Sequence, residues 1–521
     1  MDRVKTMGYR QYGRMMARFM PFVGMCLLYI SCADNKADTE QDKKFTGTIE
    51  SLMEYQAPEW FQDAKFGIYV HWGVYSVPAR GEWYARWMYQ QGMGAYKHHV
   101  QTYGHPSEFG YKDFIPMWKA ENFDPDALIS LFKKAGAKYF TPCAVHHDNF
   151  DLWDSKYQPW NAVNMGPKKD LMKLWRNATI KQGLRFGVTT HVARAYSWMN
   201  VANQSDREGP LAGVPYDGDN PEYDGLYFKK HDDTSSRGPE TPSAAWKEEW
   251  AKRMKDLIDN YHPDHFYFDG AIPFNGEYGK TGMDVVAHLL NHSMEVNGGK
   301  QEAVMCYKER PFNGIFVDGM LTLDYERGKS PEIREKPWQT DDTIGPWGYR
   351  EGAKYKSVNA VVDKLLDIVS KNGNLLLNIP IKADGTLDEE SIQFLEDMGK
   401  WMDIHGEGIY GSRPWYRFGE GKTNEIPELG RTSIFTAKDI RYTTKRDTLY
   451  AFVMDWPGAN ETVWMKQVSH NNHSAGKVKS VTLLGVGEVE WKQDRVGLYI
   501  TTPDKKPHDY AYGFKIEFES K

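Results

Sequence analysis

Polar and ionisable residues stand at the ends of short apolar runs along this chain: His71, His146 and His147, His191, Asp269, Lys308, Glu326 and Asn378. The stretch Tyr261-His262-Pro263-Asp264-His265-Phe266-Tyr267-Phe268-Asp269-Gly270 shows the pattern most clearly. Its aromatic run, His265 to Phe268, reads as a buried strand bounded by Pro263 and Gly270, with Asp269 where the strand stops. A carboxylate there cannot be buried unpaired without a large desolvation cost. Taken alone, such a residue is more often a turn or cap aspartate before a glycine; the recurrence of the arrangement is what reverses the odds towards chemistry. Two carboxylates, Asp269 and Glu326, among imidazoles and aromatic rings suit glycoside hydrolysis. One carboxyl attacks or activates water and the other protonates the leaving oxygen. The chain has no recognisable Ser or Cys nucleophile elbow, no P-loop and no dinucleotide fingerprint.

These residues need a scaffold that brings strand ends together. From about Ile49 the pattern alternates strand and helix. Apolar runs at 66–70, 138–143, 185–190, 265–268, 303–307, 321–325, 338–340 and 375–379 read as strands. Between them, Asp124-Pro125 starts one helix as cap and first-turn proline, 168–182 and 244–261 carry helical apolar stripes, and Ser357 caps another. A final helix is expected from Asp388 to about His405. Eight such units predict a closed (β/α)8-like (TIM-type) barrel over residues 49–413, whose strand C-termini converge on one face. An open doubly wound sheet is the structural alternative, but His71-Trp72-Gly73 is not its glycine-rich phosphate turn. Residues 192–242, rich in Gly, Pro, Asp and Ser, read as one long loop. After Pro414 only short β-type runs remain, which predicts a C-terminal antiparallel β-sandwich over 414–521.

The 521 residues carry a net charge of −6 with both signs mixed, so no nucleic-acid-binding stripe is implied. Aromatic residues make up 14 %, including 18 Trp and 31 Tyr, which fits a large core and also sugar-stacking platforms. Four cysteines (Cys26, Cys32, Cys143, Cys306) are too few for a disulfide scaffold and lack metal-ligand spacing. Arg14 and Arg18 precede an apolar run from Phe19 to Ile30, ending in Ser31-Cys32. Residues 1–32 therefore read as an export signal of lipoprotein type, with residues 33–48 a polar tether. The expected location is periplasmic or anchored to the outer membrane, with membrane contact only through a lipid on Cys32.

The chain resembles the α-L-fucosidases of glycoside hydrolase family 29. The resemblance rests on Lys65-Phe66-Gly67-Ile68-Tyr69-Val70-His71-Trp72-Gly73, Glu82-Trp83-Tyr84, His146-His147-Asp148-Asn149-Phe150-Asp151-Leu152-Trp153, Gly183-Leu184-Arg185-Phe186-Gly187, Pro263-Asp264 to Asp269-Gly270, and Ser370-Lys371-Asn372-Gly373-Asn374-Leu375-Leu376-Leu377-Asn378. The resemblance implies an exo-acting, retaining enzyme that removes terminal α-L-fucosyl groups from an oligosaccharide or glycoconjugate, without a cofactor or metal. It implies Asp269 as nucleophile, with His71, His146, His147, Glu82 and Trp83 around the sugar ring. Glu326 is the matching acid/base in one branch of the family; Glu277, Glu332 and Glu335 are its rivals. His191, Tyr267, Lys308 and Trp338 complete the expected substrate-binding set. Three positions depart from the family pattern: Gln339 where many members have Glu, Asn149 where glycine is commoner, and His191 where many carry Tyr or Ser. Three competing readings remain at this stage. One is a same-fold enzyme for a related sugar such as an α-galactoside, and another is a carbohydrate-binding protein without the acid. The third is a metal site at His146-His147-Asp148, which the opposite facing of adjacent strand residues makes awkward.

Overall fold

A computed structural model describes residues 44–276, 279–309, 314–423 and 434–519. The expected signal segment, Cys32, and the rival acid Glu277 lie outside the described residues. Eight parallel strands close into a barrel in chain order: β1 (Phe66–Val70), β2 (Tyr139–Val145), β3 (Arg185–Thr190), β4 (His265–Phe268), β5 (Val304–Lys308), β6 (Thr322–Asp324), β7 (Trp338–Thr343) and β8 (Gly373–Asn378). β8 returns to β1 in the register Phe66↔Leu375 to Tyr69↔Asn378.

Side-chain alternation divides each strand between two environments. In β1, Phe66, Ile68 and Val70 join the outer core, whereas Tyr69 joins a second cluster inside the barrel with Tyr139, Tyr267, Cys306 and Leu376. Parity in β8 runs the same way: Leu375 and Leu377 point out and Leu376 points in. Gly67 lacks a side chain because the Tyr139 ring fills its place; a Cβ there would sit 2.4 Å from the ring. Phe61, on the helix Glu59–Ala64, is fully buried in the same inner cluster.

Outside the barrel lie α1 (Pro125–Lys134), α2 (Leu171–Lys181), α3 (Ala244–Tyr261), α4 (Thr281–Val296), α5 (Val358–Ser370) and α6 (Glu389–Ile409). Each of α1, α2, α3, α5 and α6 starts on a capping side chain: Asp124, Asp170, Ser243, Ser357 and Asp388 accept from backbone N–H groups of the first turn. β5 and β6 are followed by connections in which no helix occurs among the described residues. β7 runs to Thr343, three residues beyond the sequence reading.

Residues 192–242 are not a plain loop. They form a succession of single helical turns, among them Val192–Arg194, Ala195–Trp198 and Asn200–Asn203, with Trp198 fully buried.

Beyond the barrel, β9 (Arg413–Glu420), β10 (Ile440–Lys445), β11 (Thr448–Val453), β12 (Thr462–Met465), β13 (Val478–Leu483), β14 (Gly487–Glu488), β15 (Trp491–Gln493), β16 (Leu498–Thr501) and β17 (Tyr512–Phe518) build two antiparallel sheets. One has the order β9-β10-β11-β17-β13-β14 and the other β12-β16-β15. β9, β10 and β12 are strands that the sequence reading did not separate from turns.

Candidate active site

The residues after the strands do converge. One cavity of about 100 Å³ is lined by Tyr69, His71, Glu82, Trp83, His146, His147, His191, Arg194, Asp269, Lys308, Glu326, Asp341 and Trp347. That is below the range of sites for drug-sized ligands, so it suits one small ring and has no room for a chain of sugars.

Each side chain is held by the strand or loop behind it. His71 follows β1; its Nδ1 donates to Asn378 Oδ1 at the end of β8 (2.9 Å), and the same oxygen accepts the His71 N–H. His147 Nδ1 donates to the His191 carbonyl at 2.7 Å, which leaves Nε2 3.6 Å from Asp269 Oδ2. His146 and His147 both face the cavity, because β2 ends at Val145 and strand alternation no longer applies to them. Burial lowers the pKa of His71 to about 3 and pushes those of His146 and His147 far below the usual histidine value. They are neutral rings that can give or take a hydrogen bond. Glu82 accepts from the Gly348 N–H at 2.9 Å, and burial raises its pKa. Trp83 packs edge-on against His147 and Trp198, so the segment after β3 forms the back wall.

Lys308, at the end of β5, ties the two proposed catalytic carboxyls together. Its Nζ donates to Asp269 Oδ1 at 2.7 Å and to Glu326 Oε2 at 3.0 Å. The two oxygens are therefore separated by at most the sum of those distances, which lies below the ~6.5 Å at which inverting carboxyl pairs begin. Burial by itself would raise the Asp269 carboxyl, but Lys308, Arg194 and His191 hold it well below the usual range. It is ionised, as a nucleophile must be. His191 Nδ1 lies 3.1 Å from Asp269 Oδ2, and Arg194 Nη2 donates to the Asp269 carbonyl at 3.1 Å. The segment carrying Glu326 is braced from α5: Lys364 Nζ donates to the Arg327 carbonyl at 2.6 Å, and Lys329 pairs with Asp367. Asp367 also holds Arg441 of β10 at 2.7 Å, so the sandwich reaches the same brace.

Two expected substrate contacts are placed elsewhere. Trp338 is fully buried in the outer core, where its Nε1 donates to the Lys371 carbonyl and its ring meets Tyr325. It begins β7 on the outward parity, so Gln339 and Asp341 point inward instead. Tyr267 is inside the barrel below the cavity; its hydroxyl donates to Asp341 Oδ2 at 3.1 Å rather than meeting the open space. Gln339 lies deeper still, against Tyr139, His265 and Asp324. Glu332 and Glu335 are exposed and do not line the cavity. Asn149 has φ of 63°, the left-handed region in which glycine is commonest and asparagine the readiest substitute. Four lining residues escaped the sequence reading of the site: Tyr69, Arg194, Asp341 and Trp347.

A paired-carboxyl pocket at the C-terminal face of a parallel barrel defines a glycoside hydrolase class of site. The model of the α-L-fucosidase family matches residues 32–407, and that of the α-L-fucosidase C-terminal domain matches 435–517. Mouse tissue α-L-fucosidase is 30 % identical over 494 residues, covering 91 % of this chain and 95 % of the relative. The human tissue enzyme is 27 % identical over 511 residues, covering 95 % and 97 %. The crystal structure of Thermotoga maritima α-fucosidase in complex with fucose superposes with a TM-score of 0.68 at 27 % identity, covering 91 % of this chain and 100 % of that one. The chain belongs to the α-L-fucosidase family, glycoside hydrolase family 29.

Proposed function

We propose that the protein is an exo-acting, retaining α-L-fucosidase in which Asp269 is the nucleophile and Glu326 the acid/base. The single observation that carries the assignment is the Lys308 ammonium bridging both carboxyls at 2.7 and 3.0 Å. Asp269 attacks the anomeric carbon while Glu326 gives its proton to the leaving oxygen. Glu326 then takes a proton from water as the water displaces Asp269 from the glycosyl-enzyme. Two inversions return the α configuration. His71, His146 and His147, kept neutral by burial, hold sugar hydroxyls, and the rings of Trp83 and Trp347 cover the apolar face of the sugar. The barrel interior closes the pocket beneath Tyr69 and Asp341, so the terminal sugar enters and the rest of the glycan stays outside. The substrate is a fucosylated oligosaccharide or glycoconjugate.

The test is hydrolysis of a panel of aryl glycosides, with the first-formed anomer followed by NMR before mutarotation. α-L-Fucose should appear first, and the α-galactoside should be turned over far more slowly. β-Fucose first, or preference for the galactoside, would refute the assignment. His71, His146 and His191 place ring nitrogens within 4.8 Å of one another, as His147 and His191 do with an Asp269 oxygen. Two Nδ1 atoms of these groups are already engaged, at Asn378 and at the His191 carbonyl. The displacement above needs no ion, so activity should survive exhaustive chelation. A loss restored by one added metal would count against it.

The proposal extends to export with a lipid on Cys32, supported by the basic residues and apolar run that precede Ser31-Cys32. Mass spectrometry of the mature chain should find residue 32 at the amino terminus with acyl groups attached. An unmodified amino terminus at another position would rule this out.

A further inference from the structure

Below the cavity lies a second pair of carboxyls that the displacement above does not use. Asp324 ends β6 and Asp341 lies within β7; each is only 2 % exposed. The two Asp341 oxygens have different surroundings. Oδ2 accepts from the Tyr69 and Tyr267 hydroxyls, both at 3.1 Å, and lies 3.4 Å from Lys308 Nζ. Oδ1 is buried and receives no donor from any other group, and the same holds for Asp324 Oδ1. The two carboxyls are close enough for the charge of one to act on the other. A proton on one of them lets two such oxygens meet as donor and acceptor instead of repelling.

The surroundings say which one. Asp324 Oδ2 accepts from Gln339 Nε2 at 2.7 Å, as a carbonyl oxygen does. Gln339 cannot turn its other end to Asp324, because its Oε1 is engaged by His265 Nε2 at 3.0 Å and the Tyr139 hydroxyl at 3.3 Å. Among the described residues, no cation is ion-paired with Asp324. Burial and the neighbouring Asp341 charge push its pKa well above the carboxylate range. Burial raises Asp341 too, but Lys308 and the hydrogen bond from Asp324 bring it below its ordinary value. The chain of contacts runs Asp324 carboxylic acid, Asp341 carboxylate, Lys308 ammonium, and then Asp269 and Glu326.

We propose that Asp341, holding one negative charge through a proton fixed on Asp324, is the positioning counter-ion of Lys308 and sets the proton affinity of the catalytic carboxyl pair. The proposal rests on the assignment of Asp269 and Glu326 above. An ammonium touching both carboxyls fixes their separation, but on its own it would also favour the ionised form of each. An acid/base must carry a proton in the first step. Asp341 offsets the ammonium from below, 3.4 Å away, so Lys308 can hold the geometry of the pair with less of this bias. If both buried carboxyls were ionised, the pair would repel at hydrogen-bond distance; the proton on Asp324 limits the charge beneath Lys308 to one.

Among the described residues, the other ionisable groups facing this cluster are Tyr69 from β1, Tyr139 from β2, Tyr267 and Asp269 from β4, Cys306 from β5, and His71, Glu82, His191, Arg194 and Glu326 around the mouth. The experiment compares kcat and KM against pH for Asp341→Asn and Asp324→Asn in the full-length enzyme, with an aryl α-L-fucoside. In Asp341→Asn the charge is gone. Both limbs of the kcat/KM profile should move to lower pH by on the order of 1–2 units, with the loss in kcat rather than KM. In Asp324→Asn the amide supplies the donor that the carboxylic acid supplied and still accepts from Gln339. Its limbs should stay where the wild-type enzyme has them.

A fall in kcat for Asp341→Asn with both limbs unmoved would make Asp341 a mere brace and overturn the proposal. An acidward shift in Asp324→Asn would also overturn it, because Asp324 would then carry a charge of its own. If Asp341→Asn does not fold, the Asp324→Asn profile decides alone. Loss of all turnover of the activated fucoside in Asp269→Ala, measured alongside, keeps a failure of the underlying assignment separate from a failure of this one.

Discussion

Asp269→Ala and Asp269→Gly are expected to abolish turnover while the protein stays folded. The carboxylate sits one residue beyond β4, mostly buried, with Lys308, His191 and Arg194 all directed at it. Without it no glycosyl-enzyme forms, and the loss in kcat should reach at least about 10³–10⁴-fold on every substrate, activated or not. Stability should change little, which is unusual for a buried charged residue. Removing one member of a buried pair is costly because it orphans the other. Here the Lys308 ammonium keeps Glu326 at 3.0 Å and Asp341 at 3.4 Å. The thermal midpoint of the variant should therefore remain within about 5 °C of the wild type. Kinetics and a thermal melt on the same preparation check both halves. Near-wild-type activity would remove the nucleophile assignment, and a collapsed midpoint would make Asp269 a structural residue.

The barrel was legible in the sequence because its strands are short apolar runs with a polar residue at the end. His71, His146, His191, Asp269 and Lys308 all stand at such a boundary, and the cavity gathers all five. What escaped lies where that signal is weak. Strand β7 reads Trp338-Gln339-Thr340-Asp341-Asp342-Thr343, a polar stretch with little of the look of a buried strand. Its polarity has a physical reason on both faces. Asp341 points inward to Lys308 and two tyrosines, whereas Asp342 points outward to Lys356 and Lys364, each at 2.7 Å. A strand that satisfies charges on two sides has no apolar period to detect. The placement of Trp338 away from the cavity lining has the same root. A one-residue change of parity moves a side chain from one face of a sheet to the other, and parity in β7 could not be set without knowing that Asp341 faces in. Tyr69 was read only as part of an apolar run, because nothing local shows that its hydroxyl reaches Asp341 two strands away. Arg194 and Trp347 come from connections whose conformation depends on tertiary packing, so strand arguments do not reach them.

The acid/base assignment is best separated from every rival by how Glu326→Ala treats different leaving groups. Protonation matters most when the leaving oxygen is a poor one. A natural glycoside should lose on the order of 10³-fold or more in kcat/KM, whereas an aryl fucoside with a good leaving group should lose much less in that step. Asp269 is still present to attack it, and Lys308 still holds that carboxylate at 2.7 Å. The second displacement then becomes slow, since water lacks the base that deprotonates it. The glycosyl-enzyme should accumulate and show as a burst of released phenol. Azide attacks without needing a base and fits the space vacated by the carboxyl, so it should restore turnover of the activated substrate but not of the natural one. The product should be the α-L-fucosyl azide, because azide replaces water in the second inversion. Glu332 and Glu335 are exposed and away from the cavity, so their alanine variants should show none of this selectivity. Equal losses on both substrate types in Glu326→Ala, with no burst and no azide rescue, would strip Glu326 of the role and leave it a loop ion-pair residue.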